Sequence, residues 1–357
     1  MAYDIELPTP NPGKSIALIG LGMGAYILYL YHIGFHEVLR NLESVSLLIF
    51  SLGFILAMFG VLCDSLAWQE IARKFDYNVP IRDIFLIYLS CNFMNNLIPS
   101  GSFSGETARI YFLEKLAGGS RIERSSATVA ATRIITAIPF IIGTIIGLIF
   151  LTFATDAPAW ALAICAGITV LLLIINALFI GVCYDNDWLE RIIFALAKFV
   201  ERVFNIQINR ASCKSIIDDF HESMTMLIEH KKTLFKSTFW ALAGWTSMIL
   251  VAFITFRSMG LVVPIRAIFA VYAVMIFLQM LPLLLPGGVG LVDIVMITLF
   301  NAIGVPMHSA VAATILIRLI QLWFMTVLGG AATAYLIKKI NHKGPNTPAE
   351  KSIAKSF

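Results

Sequence analysis

Charged residues are scarce in this sequence of 357 residues: they make up 13% of the chain, whereas 59% is hydrophobic. This balance excludes a soluble globular domain, because too few polar side chains remain to cover a surface that faces water. Several apolar runs are long enough to cross a hydrocarbon core of about 30 Å, which takes roughly 20 helical residues. The composition therefore predicts an all-α polytopic membrane protein.

Motifs of enzyme chemistry are also missing. The five cysteines are scattered without a CxxC spacing, so neither a disulfide framework nor a zinc site is predicted. The sequence contains no phosphate-binding loop, no HExxH helix and no GxSxG elbow. We therefore predict a transporter and not an enzyme, with no catalytic residue, no cofactor, no metal and no nucleic-acid partner.

Two stretches of the chain repeat each other. Residues 79–82 (Val-Pro-Ile-Arg) recur as residues 263–266, and residues 129–132 (Val-Ala-Ala-Thr) recur as residues 311–314. Three further pairs align between these ends: Pro99 with Pro286, Gly101 with Gly288, and Glu106 with Asp293. Ordered matches at a nearly constant offset are not expected by chance, so we predict an internal duplication.

The apolar runs and the polar segments between them predict the organisation of the chain. Spanning helices are expected at about 15–35, 45–67, 126–153, 160–183, 234–256 and 309–337. Residues 1–14 and 339–357 are polar ends, and residues 15–338 form one transmembrane domain. Within that domain, repeat one covers about 45–154 and repeat two about 234–338, and an amphipathic linker at 185–233 is expected to lie on the membrane surface.

Lysine and arginine are concentrated in the segments 71–82, 114–124, 185–236 and 338–357. The positive-inside rule puts these segments and both termini in the cytoplasm, which fits a protein of the cell membrane. This topology requires the apolar hairpins at 81–117 and 265–303 to return to the side they entered from. They are then re-entrant and enter from opposite sides, which makes the duplication an inverted-topology repeat, as in many alternating-access transporters.

Polar side chains within these apolar helices are the candidate site, because burying a charge in a membrane is costly unless it has a function. The predicted substrate-binding residues are Asn92, Asn95, Asn96, Glu106, Arg109, Arg133, Asp293, Arg318 and Gln321. The predicted hairpin breaks are at Pro99, Gly101, Gly105, Pro286, Gly287, Gly288 and Gly290. Two carboxylates against three guanidiniums leave one positive charge, which suits an anionic lipid phosphate.

Several alternatives stay open for these residues. Glu106 with Arg133, and Asp293 with Arg318, form the alternative of closed ion pairs that only hold the repeats together. The three asparagines either line a polar cavity or bind backbone groups freed by the break. Gln321 is expected to orient Arg318, and Glu106 or Asp293 would be the carrier of a coupled ion or proton. Asp64, near the predicted inner end of its span, reads as interfacial.

Two runs of this sequence resemble a known family. The first is 96–99 (Asn-Leu-Ile-Pro) with 105–109 (Gly-Glu-Thr-Ala-Arg), and the second is 285–293, which contains Pro-Gly-Gly-Val-Gly and ends at Asp293. They are similar to the flippase-like transmembrane domain of the lysylphosphatidylglycerol synthases, over about residues 15–338. The sequence departs from the family at Ser102-Phe103-Ser104, and at Asp293, where the family more often has glutamate.

The resemblance implies a lipid flippase-like membrane protein, without the aminoacyl-transfer domain of the full-length synthases. We predict transport of an anionic or polyprenyl-phosphate-linked lipid between leaflets by alternating access. The alternatives are a membrane-embedded enzyme or an accessory subunit of lipid-linked sugar or aminoacyl-lipid synthesis, and a non-transporting scaffold. The expected partner is a membrane lipid with an anionic headgroup; a homo-oligomer or a lipid-synthesis enzyme as a further partner stays open.

Overall fold

A computed structural model describes residues 42–98, 103–118, 122–154, 230–280 and 286–343, together with isolated positions elsewhere. The regular structure within these ranges is helical, and no strand occurs in them. The predicted spans at 15–35 and 160–183, the surface helices of the 185–233 linker, the break residues Pro99 and Gly101, and most of the C-terminal tail lie outside the continuous described ranges.

Nine α-helices follow one another along the described chain. They are α1 (Leu47–Ala72), α2 (Ile81–Leu97), α3 (Phe103–Ala117), α4 (Ile122–Ala154), α5 (Lys231–Ser258), α6 (Ile265–Met280), α7 (Leu291–Ala302), α8 (Met307–Arg318) and α9 (Met325–Lys343). Short 3₁₀ turns lie at Arg73–Phe75 and Pro286–Gly288. A π-helical segment, Leu319–Phe324, joins α8 to α9 as one long helix.

Four of the described helices are long and apolar enough to cross a membrane: Leu47–Phe75, Arg124–Gly147, Lys231–Ser258 and Met307–His342. Each overlaps one of the spans predicted from the sequence. The large apolar side chains on their outer faces are exposed, as expected of surfaces that meet lipid and not water. The protein is thus an all-α membrane protein.

The first repeated tetrapeptide, Val-Pro-Ile-Arg at 79–82 and 263–266, lies at the start of the hairpin helix in both repeats. Pro80 precedes α2 and Pro264 precedes α6, and each proline carbonyl accepts hydrogen bonds from the first helical turn. Proline suits this position because it has no N–H that the helix would leave unpaired, and because its ring fixes φ near the helical value. The sequence duplication is therefore also a duplication of local structure at these two helix starts.

Helices α1 and α5, which occupy matching places in the two repeats, pack against each other in antiparallel directions. The Ser247 hydroxyl donates to the Leu56 carbonyl at 2.6 Å, and the Ser237 hydroxyl donates to the Ala67 carbonyl at 2.8 Å. Residue numbers thus rise along α1 while they fall along α5. Both donors sit on α5 and both acceptors on the backbone of α1, so these hydrogen bonds hold the pair at close range.

The two helices cross at a pair of matching glycines. A Cβ atom added to Gly60 would lie 3.4 Å from the Gly244 carbonyl oxygen, and one added to Gly244 would lie 3.2 Å from the Gly60 carbonyl oxygen. Residues without a side chain allow this close approach, as at other helix crossings in membranes. Gly60 and Gly244 are separated by the same number of positions as the first repeated tetrapeptide, at 79–82 and 263–266.

Each hairpin helix packs on the last long helix of the other repeat. Helix α2 lies against α9, where Gly329 faces Leu89 and Phe93, and helix α6 lies against α4, where Gly147 faces Ala270. The α2–α9 contact also carries a Ser90–Thr333 hydroxyl pair at 2.7 Å. The two halves are thus interlocked by reciprocal contacts and do not sit side by side as separate units.

Asp64 lies deeper than the sequence suggested. The second span was expected to end near residue 67, but its helix continues through Ala72 and the apolar span reaches Phe75. Asp64 is therefore eleven residues from that end, which corresponds to about 16 Å at the helical rise. The interfacial interpretation of Asp64 does not fit this position.

Two neighbouring glycines of α9 test the α2–α9 contact. A Cβ added to Gly329 would lie 2.3 Å from the Leu89 carbonyl oxygen, whereas the nearest atom to one added to Gly330 is a ring carbon of Phe93 at 3.2 Å. We expect Gly329→Ala to lower the free energy of unfolding by about 1–3 kcal/mol relative to Gly330→Ala, because backbone cannot yield as a ring can. Thermal unfolding in detergent measures this difference. Equal stabilities would contradict the close approach of α9 to α2.

Candidate functional site

The first hairpin break lies between the end of α2 at Leu97 and the start of α3 at Phe103. The Asn95 Oδ1 atom accepts a hydrogen bond from the Gly105 N–H at 2.7 Å and one from the Ser104 hydroxyl at 3.3 Å. The N–H groups of a first helical turn have no partner within the helix, so Asn95 satisfies one of them. The sequence left two roles open for the asparagines, lining a cavity or binding backbone groups at the break. Asn95 binds a backbone group.

Gly105 lies in the first turn of α3 and not in the break itself. A Cβ added to Gly105 would lie 2.5 Å from the Asn95 Nδ2 atom. Any larger residue would therefore push Asn95 away from the backbone N–H that it binds. The glycine is required by the close approach of α2 to α3, which a sequence pattern of helix breakers does not distinguish from a turn.

The second hairpin break is built on glycine and a carboxylate. Gly287, Gly288 and Gly290 have φ angles of +59°, +66° and +89°, a region that other residues adopt at a cost. Pro286 begins the 3₁₀ turn that contains the first two of them. The Asp293 Oδ2 atom accepts a hydrogen bond from the Gly290 N–H at 2.8 Å. Asp293 thus satisfies the start of α7 as Asn95 satisfies the start of α3.

The two breaks meet each other. A Cβ added to Gly287 would lie 3.5 Å from the Asn96 carbonyl oxygen and 2.8 Å from Leu322, in the π-helical segment. The Asn96 side chain donates from Nδ2 to the Thr326 hydroxyl at 2.8 Å. Asn92 is partly buried on α2, one helical turn before Asn96. The end of α2, the second break and the α8–α9 helix are therefore in contact.

Glu106, Arg109 and Arg133 form the repeat-one charge cluster. The Glu106 carboxylate lies 2.8 Å from Arg109 Nη1 through one oxygen and 2.5 Å from Arg133 Nη2 through the other. The side chain of Arg109 is only 2% exposed, and its guanidinium stacks on Trp68 and Tyr88, with Cζ at 4.2 Å and 4.7 Å from the two ring centroids. One carboxylate is thus shared by two guanidiniums.

Arg109 keeps spare hydrogen-bonding capacity in this cluster. Its Nε and Nη2 groups are buried and have no hydrogen-bond partner among the described residues. Buried donors are nearly always paired in folded proteins, so two unpaired donors on one guanidinium mark a place where an acceptor is expected. The Arg133 side chain, by contrast, is 34% exposed, so the cluster is closed on the Arg109 side and open on the Arg133 side.

Asp293 and Arg318 form the repeat-two charge cluster. The Asp293 Oδ1 atom lies 2.7 Å from Arg318 Nε, and Arg318 Nη2 donates to the Gly287 carbonyl at 2.6 Å. Both side chains are buried, with 8% of Arg318 and 5% of Asp293 exposed. This pair therefore fastens the second break from both sides, through the Gly290 N–H and the Gly287 carbonyl.

Glu106 pairs with Arg133 and Asp293 pairs with Arg318, as the ion-pair alternative predicts. Each of these pairs lies within one repeat. They do not hold the repeats together. An ion pair that does join the two repeats is Asp83–Lys339, with Lys339 Nζ within 2.6 Å of the Asp83 carboxylate. Sequence reasoning did not include it, because Lys339 was assigned to the polar tail.

Gln321 has a different role from the expected one. Its Oε1 atom accepts a hydrogen bond from the Tyr272 hydroxyl at 3.0 Å, and its Nε2 atom donates to the Met248 carbonyl at 2.9 Å. Both ends of the amide are thus engaged away from Arg318, so Gln321 ties the π-helical segment to α5 and α6. Short π-helical stretches within α-helices are frequent at functional sites, and no periodicity in the sequence predicts this one.

The aromatic residues around Arg109 were also missed from the sequence. Tyr88 has a match in Tyr272 in the repeat alignment, which was the available signal. Trp68 has no such match; it donates from Nε1 to the Thr128 hydroxyl at 3.1 Å and packs edge-on against Tyr88. Its position under the guanidinium depends on where the fold places α1 relative to α3, which a linear pattern does not encode.

Comparison with known proteins gives consistent results over nearly the whole chain. The chain is 28% identical to a UPF0104 membrane protein of Methanothermobacter thermautotrophicus, over 92% of this chain and 98% of that protein. It is 25% identical to UPF0104 membrane proteins of Pyrococcus horikoshii, over 89% and 96%, and of Methanocaldococcus jannaschii, over 92% and 97%. The similarity is therefore to nearly the whole length of these membrane proteins.

The family model described as the lysylphosphatidylglycerol synthase TM region matches residues 15–329. This range includes both hairpin breaks and both charge clusters, and it confirms the resemblance inferred from the two sequence runs. The chain belongs to the family of the lysylphosphatidylglycerol synthase transmembrane region.

Proposed function

We propose that this protein is a flippase-like transporter that moves an anionic lipid between the two leaflets of a membrane by alternating access. The observation that carries this proposal is the repeat-one charge cluster, in which two guanidiniums share one carboxylate. Arginine binds phosphate through paired N–H groups, and such charge-assisted hydrogen bonds are among the strongest in proteins. The unpaired donors of Arg109 are of the kind that a lipid phosphate would fill.

Arg133 is the residue that would meet the lipid headgroup first in this conformation. Its side chain is 34% exposed, whereas those of Arg109 and Arg318 are 2% and 8% exposed. A phosphate at Arg133 would compete with Glu106 for its guanidinium. Release of Glu106 from Arg133 would break the ion pair that joins α3 to α4, so that headgroup binding and movement of α3 relative to α4 would be linked.

An inverted-topology repeat with re-entrant hairpins is the second part of the proposal. It is supported by the antiparallel packing of the matching helices α1 and α5, which cross at the matching glycines Gly60 and Gly244. Reciprocal packing of α2 on α9 and of α6 on α4 has the same two-fold character. Transporters built in this way move one repeat against the other around a central site.

The two charge clusters would then act as the two halves of a gate. The repeat-two cluster is buried and fastens its break through Gly287 and Gly290, whereas the repeat-one cluster is partly open at Arg133. Alternating access requires the two sides to differ in any one conformation. In the opposite conformation, Arg318 would be the accessible guanidinium and Arg133 the closed one.

Sided labelling tests the inverted topology. Asn78 and Val262 occupy matching positions, in the exposed loops before α2 and α6. In a variant without native cysteines, we expect Asn78→Cys to react with a membrane-impermeant maleimide from the cytoplasmic side and Val262→Cys to react from the other side. Labelling of both residues from one side would contradict an inverted repeat. Labelling after detergent solubilisation controls for reactivity.

Lipid transfer tests the role of Arg133. The protein is reconstituted into vesicles that contain phosphatidylglycerol with a fluorescent tail, and transfer is followed by quenching with dithionite, which does not cross the membrane. We expect Arg133→Gln to reduce the transfer rate at least about tenfold, since a lost charged hydrogen bond is worth roughly 1.5–3 kcal/mol. Arg257→Gln is the matched control, because Arg257 lies at the end of α5 and stacks on Phe253.

Three outcomes of this assay count against the proposal. Equal rates in the Arg133→Gln variant and the wild-type protein would remove the repeat-one cluster from the transfer path. Equal transfer of phosphatidylcholine and phosphatidylglycerol would remove the preference for an anionic headgroup. Absence of transfer for both phosphatidylglycerol and a tail-labelled polyprenyl phosphate would contradict a flippase for anionic lipids.

A further inference from the structure

Asp64 is an acidic side chain within a spanning helix that neither charge cluster uses. It is partly buried on α1, eleven residues from the end of its span. Its Oδ1 atom packs against the α5 backbone, 2.4 Å from where a Cβ on Gly244 would be. No hydrogen bond or ion pair to Asp64 is formed by the described residues. A carboxylate in this position needs either a cation or a proton.

The position of Asp64 connects it to the repeat-one charge cluster. Trp68 lies one helical turn after Asp64 on the same face of α1, and Arg109 stacks on Trp68 at 4.2 Å. The guanidinium of Arg109 therefore lies beside the same face of α1 that carries Asp64. Tyr88 of α2 contacts both Trp68 and Arg109, with ring centroids 6.1 Å apart for the first pair and the Arg109 Cζ atom 4.7 Å from its ring.

The groups that face Asp64 differ in kind from one packed element to the next. The ionisable and charged groups near it are Cys63 on α1, Tyr88 and Cys91 on α2, and Arg109 on α3. Glu106 of α3 and, through it, Arg133 of α4 are ion-paired with Arg109. Helix α5 presents the backbone of Gly244 and the Ser247 hydroxyl, which is bonded to the Leu56 carbonyl. Lys236 is the charged residue of α5 nearest to Asp64 along the helix. Its Nζ atom lies 3.9 Å from the Glu70 carboxylate, closer to the end of the span.

Glu106 and Asp293, the carriers that the sequence first suggested, are poorly suited to exchange protons. Glu106 binds two guanidiniums, and Asp293 binds one guanidinium and the Gly290 N–H. Protonation of either would remove an acceptor that these groups need. Asp64 has no such partner among the described residues, so that its protonation breaks no contact.

We propose that Asp64 is the proton-binding site that couples anionic-lipid binding to pH, an inference that rests on the function proposed above. With Asp64 ionised, the charges of Asp64, Glu106, Arg109 and Arg133 sum to zero. When Asp64 takes a proton from the aqueous phase, the group carries one positive charge, which a lipid phosphate then balances. The proton remains on the carboxylate, and no other bond is made or broken.

The coupling is reciprocal by thermodynamic necessity. If the proton on Asp64 favours the bound phosphate, the bound phosphate favours the proton on Asp64 to the same extent. Proton and lipid would therefore bind together and leave together. A transmembrane pH gradient would give direction to a transfer that otherwise only equilibrates the lipid.

Native mass spectrometry of the purified protein measures this linkage through bound phosphatidylglycerol. For the wild-type protein we expect the phosphatidylglycerol affinity to be about fivefold or more higher at about pH 6 than at about pH 8, within the usual range of coupling. For Asp64→Asn, which resembles the protonated form, we expect the higher affinity at both values. The matched control is Glu70→Gln, a carboxylate on the same helix that should leave the wild-type pH dependence intact.

Infrared difference spectra between the two pH values supply a readout that does not need a lipid. Protonation of Asp64 predicts a carboxylic-acid C=O band in the wild-type protein and in Glu70→Gln that is lost in Asp64→Asn. Circular dichroism and elution as a single species establish that the variants fold. If Asp64→Asn does not fold, Asp64→Glu replaces it, with the infrared band expected to remain but to shift.

The outcomes separate the two proposals. Phosphatidylglycerol binding with unchanged pH dependence in Asp64→Asn, or an infrared band that survives this substitution, would overturn the role of Asp64 while leaving the proposed function intact. No selective binding of phosphatidylglycerol over phosphatidylcholine at either pH would overturn the proposed function. In that case an Asp64-dependent infrared band would still identify a proton site, but one without linkage to a lipid.

Discussion

Backbone groups freed by two helix breaks have to be hydrogen-bonded inside an apolar protein, and the rest of the site depends on how each repeat meets this constraint. Repeat one uses the neutral amide of Asn95, whereas repeat two uses the carboxylate of Asp293. A buried carboxylate needs a counter-charge, which Arg318 supplies. Glu106, which matches Asp293 in the repeat alignment, does not bind the backbone of the break; it binds two arginines instead.

The two repeats therefore have corresponding helices, but their charged residues have different roles. In repeat two, the ion pair stabilises the break itself, because Asp293 binds the Gly290 N–H and Arg318 binds the Gly287 carbonyl. In repeat one, the charges stand beside the break, with spare donors on Arg109 and an exposed face on Arg133. Two identical closed ion pairs would offer an anion no accessible guanidinium in this conformation, whereas here Arg133 of the repeat-one cluster is accessible.

The contacts between the repeats also limit how the hairpins can move. The hairpin helix α2 is fastened to α9 of the other repeat by Ser90–Thr333 and Asp83–Lys339, and the breaks touch at Asn96 and Gly287. Movement of one hairpin is then felt at the other through direct contact. The pivot consistent with this arrangement is the Gly60–Gly244 crossing, where two backbones meet without side chains between them.

Much of the architecture could be predicted from the sequence, because hydrophobic runs, proline at helix starts and the repeated tetrapeptide act locally. Helix α2 was predicted at 81–97 and is found at Ile81–Leu97. The charged residues were found by the rarity of charge in apolar helices. Asp64 was misplaced because the second span was predicted to end near residue 67. The helix instead continues to Ala72, with Gln69 buried against the Val79 carbonyl.

Other features could not be predicted, because they depend on which helices meet. The sequence alone paired Glu106 with Arg133 but could not show that Arg109 shares the same carboxylate. Gln321 was assigned to Arg318 by helical spacing, and the π-helical segment that contains it changes that spacing. The Gly60–Gly244 crossing involves two unremarkable glycines whose importance appears only when α1 and α5 are placed together.

A reversible cross-link between the end of α2 and the α8–α9 helix tests most directly whether lipid transfer by alternating access requires these two elements to separate. The side chains of Asn96 and Thr326 face each other through a 2.8 Å hydrogen bond, so Asn96→Cys with Thr326→Cys, without the native cysteines, is the pair to oxidise. Mass spectrometry measures the fraction that forms the disulfide. We predict that oxidation stops transfer of tail-labelled phosphatidylglycerol and that reduction restores it. Transfer that continues at the same rate in the fully oxidised protein would contradict alternating access through these breaks.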